Sequence, residues 1–209
     1  MRILDLYAGS GGERRRPKIE ERGHSYVTLD LNPKFKCNLS VDMMTVNPEE
    51  FLKEHGHFDL IWASPPCEAF SVASIGHHWT GGKGAYIPNT DTARLGIELV
   101  KKTLEIIDYY KPQHWFMENP RGLLRKMDLV QNLKRQTVTY CQYGDERMKP
   151  TDIWTNSDVW VPRKMCKNGD PCHVAAPRGS RTGTQGRANA YERSKIPEEL
   201  CYEILKSCI

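Results

Sequence analysis

The sequence predicts an α/β fold: a mostly parallel sheet with an antiparallel edge and helices on both faces. Three observations predict it. Residues 1 to about 125 alternate short apolar runs with longer amphipathic stretches, the pattern of strands joined by covering helices. The apolar runs stop abruptly, at Ala8-Gly9-Ser10-Gly11-Gly12, at Pro65-Pro66 and at Pro120, so the loops they feed fall at one edge of a parallel sheet. Thr137-Val138-Thr139-Tyr140-Cys141 and Thr151-Asp152-Ile153-Trp154-Thr155 flank the turn-rich Tyr143-Gly144-Asp145-Glu146, which predicts an antiparallel finish. The 209 residues suffice for one domain, which at this length buries about 70% of its unfolded surface.

Arg2-Ile3-Leu4-Asp5-Leu6-Tyr7 is the first expected strand. A charged helical segment follows the glycine turn and is closed by Gly23; Pro17 inside it costs about 3 kcal/mol if truly interior, which predicts a late start or a kink. Ser25-Tyr26-Val27-Thr28-Leu29-Asp30 is the second strand. Pro48-Glu49-Glu50 opens a helix, with proline and acids in its first turn. Phe58-Asp59-Leu60-Ile61-Trp62-Ala63 is the next strand. Residues 73–92 are rich in glycine and proline and poor in apolar periodicity, so they read as a long loop, a candidate lid. Leu95, Leu99, Val100, Leu104, Ile106 and Ile107 recur at helical spacing between Ala93 and Tyr110, and Lys111-Pro112 closes that helix. His114-Trp115-Phe116-Met117 is the following strand. Residues from about 160 to 190 are basic and glycine-rich with little helix or strand signal, and Ile196-Pro197-Glu198-Glu199-Leu200 opens a last helix with Leu200, Ile204 and Leu205 on one face.

The net charge of +4 permits nucleic-acid binding without demanding it. Seven cysteines are an odd number, no signal-like apolar stretch opens the sequence, and no run approaches the roughly 18 apolar residues of a membrane span. The expectation is a soluble protein of a reducing compartment, with free thiols and no membrane association. Cys201 and Cys208, seven apart on the last helix, read as core.

Two tripeptides carry the chemistry. Neither proline of Pro65-Pro66-Cys67 can donate to a sheet ladder, so the chain must leave the sheet and present Cys67 at a strand tip. Glu118-Asn119-Pro120 repeats the pattern after the next strand, and a parallel sheet brings both ends to one edge. A thiolate can add to C6 of a cytosine and make C5 enamine-like, while a carboxylic acid at N3 helps the ring accept the electrons; Cys67 and Glu118 suit these two tasks. Cys67 then needs surroundings that lower its pKa, such as a helix N-terminus after Pro66. The glycine turn lets a ligand approach backbone closely, and Asp30, at the end of the next strand, is placed for a ribose hydroxyl pair. Asp42 suits the exocyclic amine of an adenine, or a turn cap.

The order of these motifs resembles the DNA cytosine-5 methyltransferases, particularly small phage-type members with a shortened target-recognition region. Leu4 to Gly12 is similar to the family's cofactor loop, Ser64-Pro65-Pro66-Cys67 to its nucleophile loop and Glu118-Asn119-Pro120 to its Glu-Asn element. The resemblance covers residues 1 to about 156, and Arg193-Ser194-Lys195-Ile196-Pro197 resembles the segment that returns to the cofactor pocket. It implies a Rossmann-like catalytic domain over 1–157 and 190–209, with a minimal recognition insert at 158–189. It further implies S-adenosylmethionine as donor, held by Tyr7, Ala8, Gly9, Gly11, Gly12, Asp30, Asp42, Pro66 and Leu95. Cys67 and Glu118 would be catalytic, and Ser64, Pro65, Asn119, Gln142, Arg147 and Lys149 would face the substrate. The last three stand in for the family's Gln-x-Arg-x-Arg set, which Arg147-Met148-Lys149-Pro150-Thr151 does not reproduce.

The implied partner is DNA with its target cytosine flipped out of the stack, since neither a thiol nor a methyl donor can straddle C5 and C6 inside a duplex. The implied setting is the cytoplasm of a bacterial or phage-infected cell, the protein being a monomer when free. His77, His78, Trp79 and Lys83 of the 73–92 loop are candidates to contact the backbone or fill the space the base leaves. Arg163, Lys164, Arg178, Arg181 and Arg187 suit phosphates more than base edges. Two rival readings stand: an RNA cytosine-5 methyltransferase, because one branch of the family modifies tRNA through the same residues, and a non-catalytic nucleic-acid-binding module that kept the fold. A metal remains open: Cys166-x5-Cys172-His173 offers zinc-type ligands at an irregular spacing, with Cys141 the nearest further candidate, against free thiols and a surface histidine as the plainer account.

Overall fold

A seven-stranded sheet with the order β3-β2-β1-β4-β7-β9-β8 forms the body of the computed structural model, which describes residues 1–82, 85–186 and 189–209. In chain order the elements are β1 (Arg2–Leu6), α1 (Gly9–Glu20), β2 (Ser25–Asp30), β3 (Leu39–Ser40), α2 (Pro48–His55) and β4 (Leu60–Ala63). There follow α3 (Ile75–His78), β5 (Trp79–Thr80), β6 (Ile87–Pro88), α4 (Asp91–Tyr110), β7 (His114–Pro120), α5 (Asp128–Gln131), β8 (Arg135–Thr139), β9 (Pro150–Thr155), α6 (Ala190–Ser194) and α7 (Glu198–Ser207). The pairs β1·β2, β1·β4, β2·β3 and β4·β7 are parallel, whereas β9 runs antiparallel to both β7 and β8. The chain winds outward from β1 to β3 and then returns to lay β4 and β7 on the other side. The order therefore reverses between β1 and β4, the place where an open α/β sheet forms a crevice at its carboxyl edge.

Side-chain alternation along the strands sorts two cores. Leu4, Leu6, Ile61, Ala63, Trp115 and Met117 face one way and pack under α2 and α4; Ile3, Leu60, Trp62, Phe116 and Ile153 face the other, with Ile19 of α1 and Leu200, Ile204 and Leu205 of α7. Helices thus cover both faces, as the sequence predicts. Helix α4 buries Ala93, Gly96, Leu99, Val100, Thr103, Ile106, Ile107 and Tyr110 at three- and four-residue spacing; Thr90 accepts from the Ala93 N–H at 3.2 Å and Lys111 ends the helix in a left-handed conformation.

The structure corrects several expectations. Helix α1 starts at Gly9 with no late entry and runs on through Pro17, whose carbonyl still accepts from Glu21 N–H at 2.9 Å. The helix is held from its flank, where buried Arg15 bonds Asp5 at 2.6 Å and Tyr26 at 3.2 Å. Tyr140 and Cys141 leave β8 and form a 3-10 turn with Gln142 and Tyr143. The 73–92 region is not a bare loop, since it holds α3 and the antiparallel β5–β6 pair. His78 and Trp79 are structural there: His78 Nδ1 pairs with Thr90 Oγ1 at 2.7 Å, and Trp79 Nε1 donates to the Ala69 carbonyl at 2.7 Å beside Phe70. His77 is exposed, while Lys83 and Arg187 lie outside the described residues. Among the described residues no helix is long and apolar enough to cross a membrane, and every cysteine is free.

Candidate active site

The switch point between β1 and β4 opens into a cleft of about 950 Å³, at the upper end of the range of small-molecule sites. Its floor is built by the loops that leave the carboxyl ends of three parallel strands. Tyr7, Ala8, Gly9, Ser10 and Gly11 follow β1; Ser64, Pro65, Pro66 and Cys67 follow β4; Glu118 and Pro120 lie at the end of β7. Lys149 and Pro150 enter from β9, and Arg193 to Ile196 close the side. The two tripeptides that the sequence singles out therefore share one cavity.

The β1 loop is shaped for close backbone approach. Tyr7 and Gly9 have φ of 61° and 52°, and a side chain built at Gly9 would meet nothing within 4 Å, so the space above it is open. Gly12 has a different reason: a Cβ there would come within 2.9 Å of Ala8 Cβ and Thr28 Cγ2, so glycine lets α1 lie on β2. The Asp30 carboxylate accepts from Gly9 N–H at 3.0 Å and from Asn32 N–H at 2.9 Å, which ties the β2 end to the glycine turn. The Tyr7 hydroxyl lies 3.1 Å from the Leu99 carbonyl and 3.0 Å from Thr103 Oγ1, and burial pushes its pKa up to about 12. Its ring is thereby pinned to α4, and the phenol stays neutral.

The other side of the cleft groups a thiol, a carboxyl and an ammonium, all largely withdrawn from solvent. Cys67 is half-buried and opens a single 3-10 turn, Glu68–Phe70, too short to act as a helix N-terminus. The lowering of the thiol pKa that the sequence reading asks of this turn is not found. Burial raises it instead, and the nearby Lys149 ammonium is the main opposing influence. Glu118 is 5% exposed; burial lifts its carboxyl above the usual range against the pull of Lys149 and of the Tyr140 hydroxyl, which donates to Oε1 at 2.7 Å. Lys149, also buried, has its pKa lowered by desolvation and restored in part by Glu118 and Cys67. Its Nζ sits 4.8 Å from the Tyr140 ring centroid and donates to the Arg193 carbonyl at 2.9 Å. Asn119, fully buried, donates from Nδ2 to the Pro65 carbonyl at 3.0 Å and so bolts the Glu118 strand to the Cys67 loop. Ser64 Oγ accepts from Trp62 Nε1 at 2.9 Å, fixing the same loop from below.

Other sequence-predicted residues stand elsewhere. Asp42 is exposed and caps its own turn through Met44 N–H at 2.9 Å, standing near enough to Tyr7 to help raise its phenol pKa, whereas Leu95 is 51% exposed on α4. Arg147 is turned away from the substrate side: it pairs with Asp145 and donates to the carbonyls of Glu192, Arg193 and Lys195 at 2.9, 2.9 and 3.0 Å. Gln142 points at Cys172 Sγ, 3.6 Å away, outside the cleft. Arg163 is held by Glu199 and Glu203 at 2.7 and 2.6 Å, so its charge is already matched; Arg178 does line the cleft. Tyr140, Arg14 and Arg15 are site residues that the sequence reading missed. Tyr140 lies 22 positions from Glu118 and reaches it from the turn that follows β8, two strands away in the sheet.

Comparison with known proteins agrees with this geometry. Residues 1–140 match the model of the family "C-5 cytosine-specific DNA methylase". The whole chain is 30% identical, over 224 residues and the full length of both, to "Probable DNA (cytosine-5)-methyltransferase" of Frog virus 3 (isolate Goorha). Among solved structures, a candidate DNA modification methyltransferase encoded within an E. coli prophage superposes with a TM-score of 0.52 at 16% identity over 84% of this chain. The S. pombe Dnmt2 methyltransferase gives 0.50 at 16% identity over 78%. The chain spans 57% and 52% of those two chains, and at such identity the likeness concerns the fold.

Proposed function

The chain belongs to the C-5 cytosine-specific DNA methylase family, and from that premise we propose that it transfers a methyl group from S-adenosylmethionine to C5 of a flipped cytosine in DNA, with Cys67 as nucleophile and Glu118 as acid. One observation carries the assignment: Cys67, Glu118 and Lys149 line the same cleft as the Gly9–Gly11 turn. The donor supplies an electrophilic methyl on a sulfonium. The residues present fit it, because open space over Gly9 and the Asp30-anchored turn leave room for a nucleoside against backbone. Tyr7, Ala8, Gly9, Gly11 and Pro66 would hold it, and Asp30 keeps their loop in shape. Asp42, whose charge reaches Tyr7, stands at the edge of this set, and the exposed Leu95 is left out of it.

Sulfur 67 attacks C6, forming an S–C bond while the C5–C6 π pair moves to C5. Glu118, whose carboxyl burial lifts above the usual carboxylate range, donates its proton to N3 and takes up the charge that develops on the ring. Once C5 carries the methyl and the donor has left as its neutral thioether, loss of the C5 proton to water and departure of the sulfur restore the double bond and the thiolate, and N3 returns its proton to Glu118. Lys149 is the counter-ion that makes a buried thiolate tolerable. Tyr140 orients Glu118, and Asn119 fixes its distance from the nucleophile loop. Residues 158–189 are assigned as the recognition segment, a reading supported by Arg178 and Thr182 to Gly186, which line the same cleft as Cys67. Incorporation of labelled methyl into DNA and into RNA by the full chain tests the reading. The expected result is DNA incorporation, abolished in Cys67→Ala with cofactor binding retained. Incorporation into RNA alone, or parental activity in the variant, would overturn it.

A further inference from the structure

Outside the cleft, three thiols and one imidazole converge on a single point. Cys141 Sγ lies 3.1 Å from Cys166 Sγ and 3.7 Å from Cys172 Sγ; His173 Nδ1 lies 3.7 Å from Cys166 Sγ and 3.6 Å from Cys172 Sγ. All four ligand atoms fall within 4.8 Å of one another. Ligands about 2.3 Å from a tetrahedral ion stand roughly 3.7 Å apart, so the spacing is that of a coordination shell. A disulfide, with sulfurs about 2.05 Å apart, does not describe it. We propose that Cys141, Cys166, Cys172 and His173 bind one zinc ion that staples residues 158–189 onto the catalytic body.

The donor set selects the metal and its role. Three thiolates and an imidazole in tetrahedral array suit zinc, and with all four positions filled by protein the site is structural. Gln142 Nε2 sits 3.6 Å from Cys172 Sγ, and Thr139 Oγ1 accepts from Cys166 N–H at 3.1 Å, contacts that would orient the ligands.

The segment has a physical need for such a staple. Among the described residues, 156–186 contain no helix or strand; Trp160 anchors the start of the segment against Phe116, but beyond it the apolar cluster joining the segment to Cys141 holds only Cys141, Met148 and Cys166. So small a core cannot offset the entropy of ordering the segment, which is the situation in which metals substitute for cores. Cys141 comes from the turn after β8, next to Tyr140, so the staple would anchor the recognition segment one residue from the group that orients Glu118. The set is hard to read in sequence because the fourth ligand, Cys141, lies 25 residues before Cys166.

Metal analysis of the full chain, purified without chelator, tests this. The expected content is one zinc per chain, falling to background in Cys166→Ser and Cys172→Ser but unchanged in Cys208→Ala. Cobalt added to chelator-stripped wild-type protein should give the visible bands of a tetrahedral thiolate complex, a readout that needs no variant. Stripping should also expose Lys164, Lys167, Arg178 and Arg181 to trypsin. Zinc-free protein with no cobalt spectrum would overturn the proposal, as would a Cys141–Cys166 disulfide, bound iron in place of zinc, or zinc retained in both serine variants.

Discussion

Asn119 offers the sharpest test of how the two halves of the site are held together. Its Nδ2 donates to the Pro65 carbonyl at 3.0 Å, it is fully buried, and its Oδ1 finds no protein partner, so only the donor end serves the structure. Asn119→Ala leaves the Pro65 carbonyl unpaired in the interior, at about 1–3 kcal/mol. If the nucleophile loop must be re-placed before attack, that cost sets an upper bound on the loss of rate, roughly 5- to 150-fold at 1.36 kcal/mol per decade. Asn119→Asp should be worse, since it removes the donor and turns an acceptor toward a carbonyl. Single-turnover methyl transfer, with cofactor affinity measured in parallel, reads the effect. The expected pattern is a slower chemical step at unchanged cofactor affinity. A folded Asn119→Ala protein that methylates within twofold of the parent would show that this bond does not position Cys67.

Lys149→Met removes the cation that opposes burial at both Cys67 and Glu118, so both pKa values should rise. The thiolate then forms only at higher pH, and the pH dependence of Cys67 alkylation, followed by peptide mass spectrometry, should move in the alkaline direction; a shift toward acid would contradict the counter-ion role. Tyr140→Phe removes a donor to the Glu118 carboxylate, which favours the neutral acid, so the limb of the pH–rate profile set by Glu118 should move to higher pH. Gly12→Ala drives a Cβ to within 2.9 Å of two atoms that cannot swing aside. Overpacking of about 1–3 kcal/mol, less the roughly 1 kcal/mol that alanine gains in a helix, predicts a net loss of about 0–2 kcal/mol and a Tm lower by up to roughly 8 °C. A raised Tm would refute the packing argument.

What the sequence revealed follows from how local each signal is. Pro65-Pro66-Cys67 and Glu118-Asn119-Pro120 were legible because a proline ends a strand wherever it stands, and parallel strands place their ends at one edge. The glycine turn was legible for a similar reason, since only glycine tolerates the backbone and the helix contact found at Gly9 and Gly12. Leu95 keeps the helical spacing yet stands exposed, because spacing identifies a face without saying how wide the buried stripe is; the stripe runs through Gly96 and Leu99. Arg147 and Gln142 were misread because a charged or amide side chain declares its type in sequence but not its direction. The Cys67 environment was misread because its sign depends on burial and on Lys149, 82 positions later in the chain, which no local pattern encodes. The four ligands around Cys141 needed the turn after β8 to meet a segment with no periodicity of its own.

The central claim is that sulfur 67 bonds to the cytosine ring while carboxyl 118 assists. DNA containing 5-fluorocytosine tests this most directly, because fluorine at C5 blocks the final elimination and leaves any covalent intermediate trapped. With cofactor present, the parent protein should become attached to that DNA through the peptide that carries Cys67, and Cys67→Ala should not. Efficient methylation of ordinary DNA without a trapped species, or a trapped species that survives Cys67→Ala, would contradict the account.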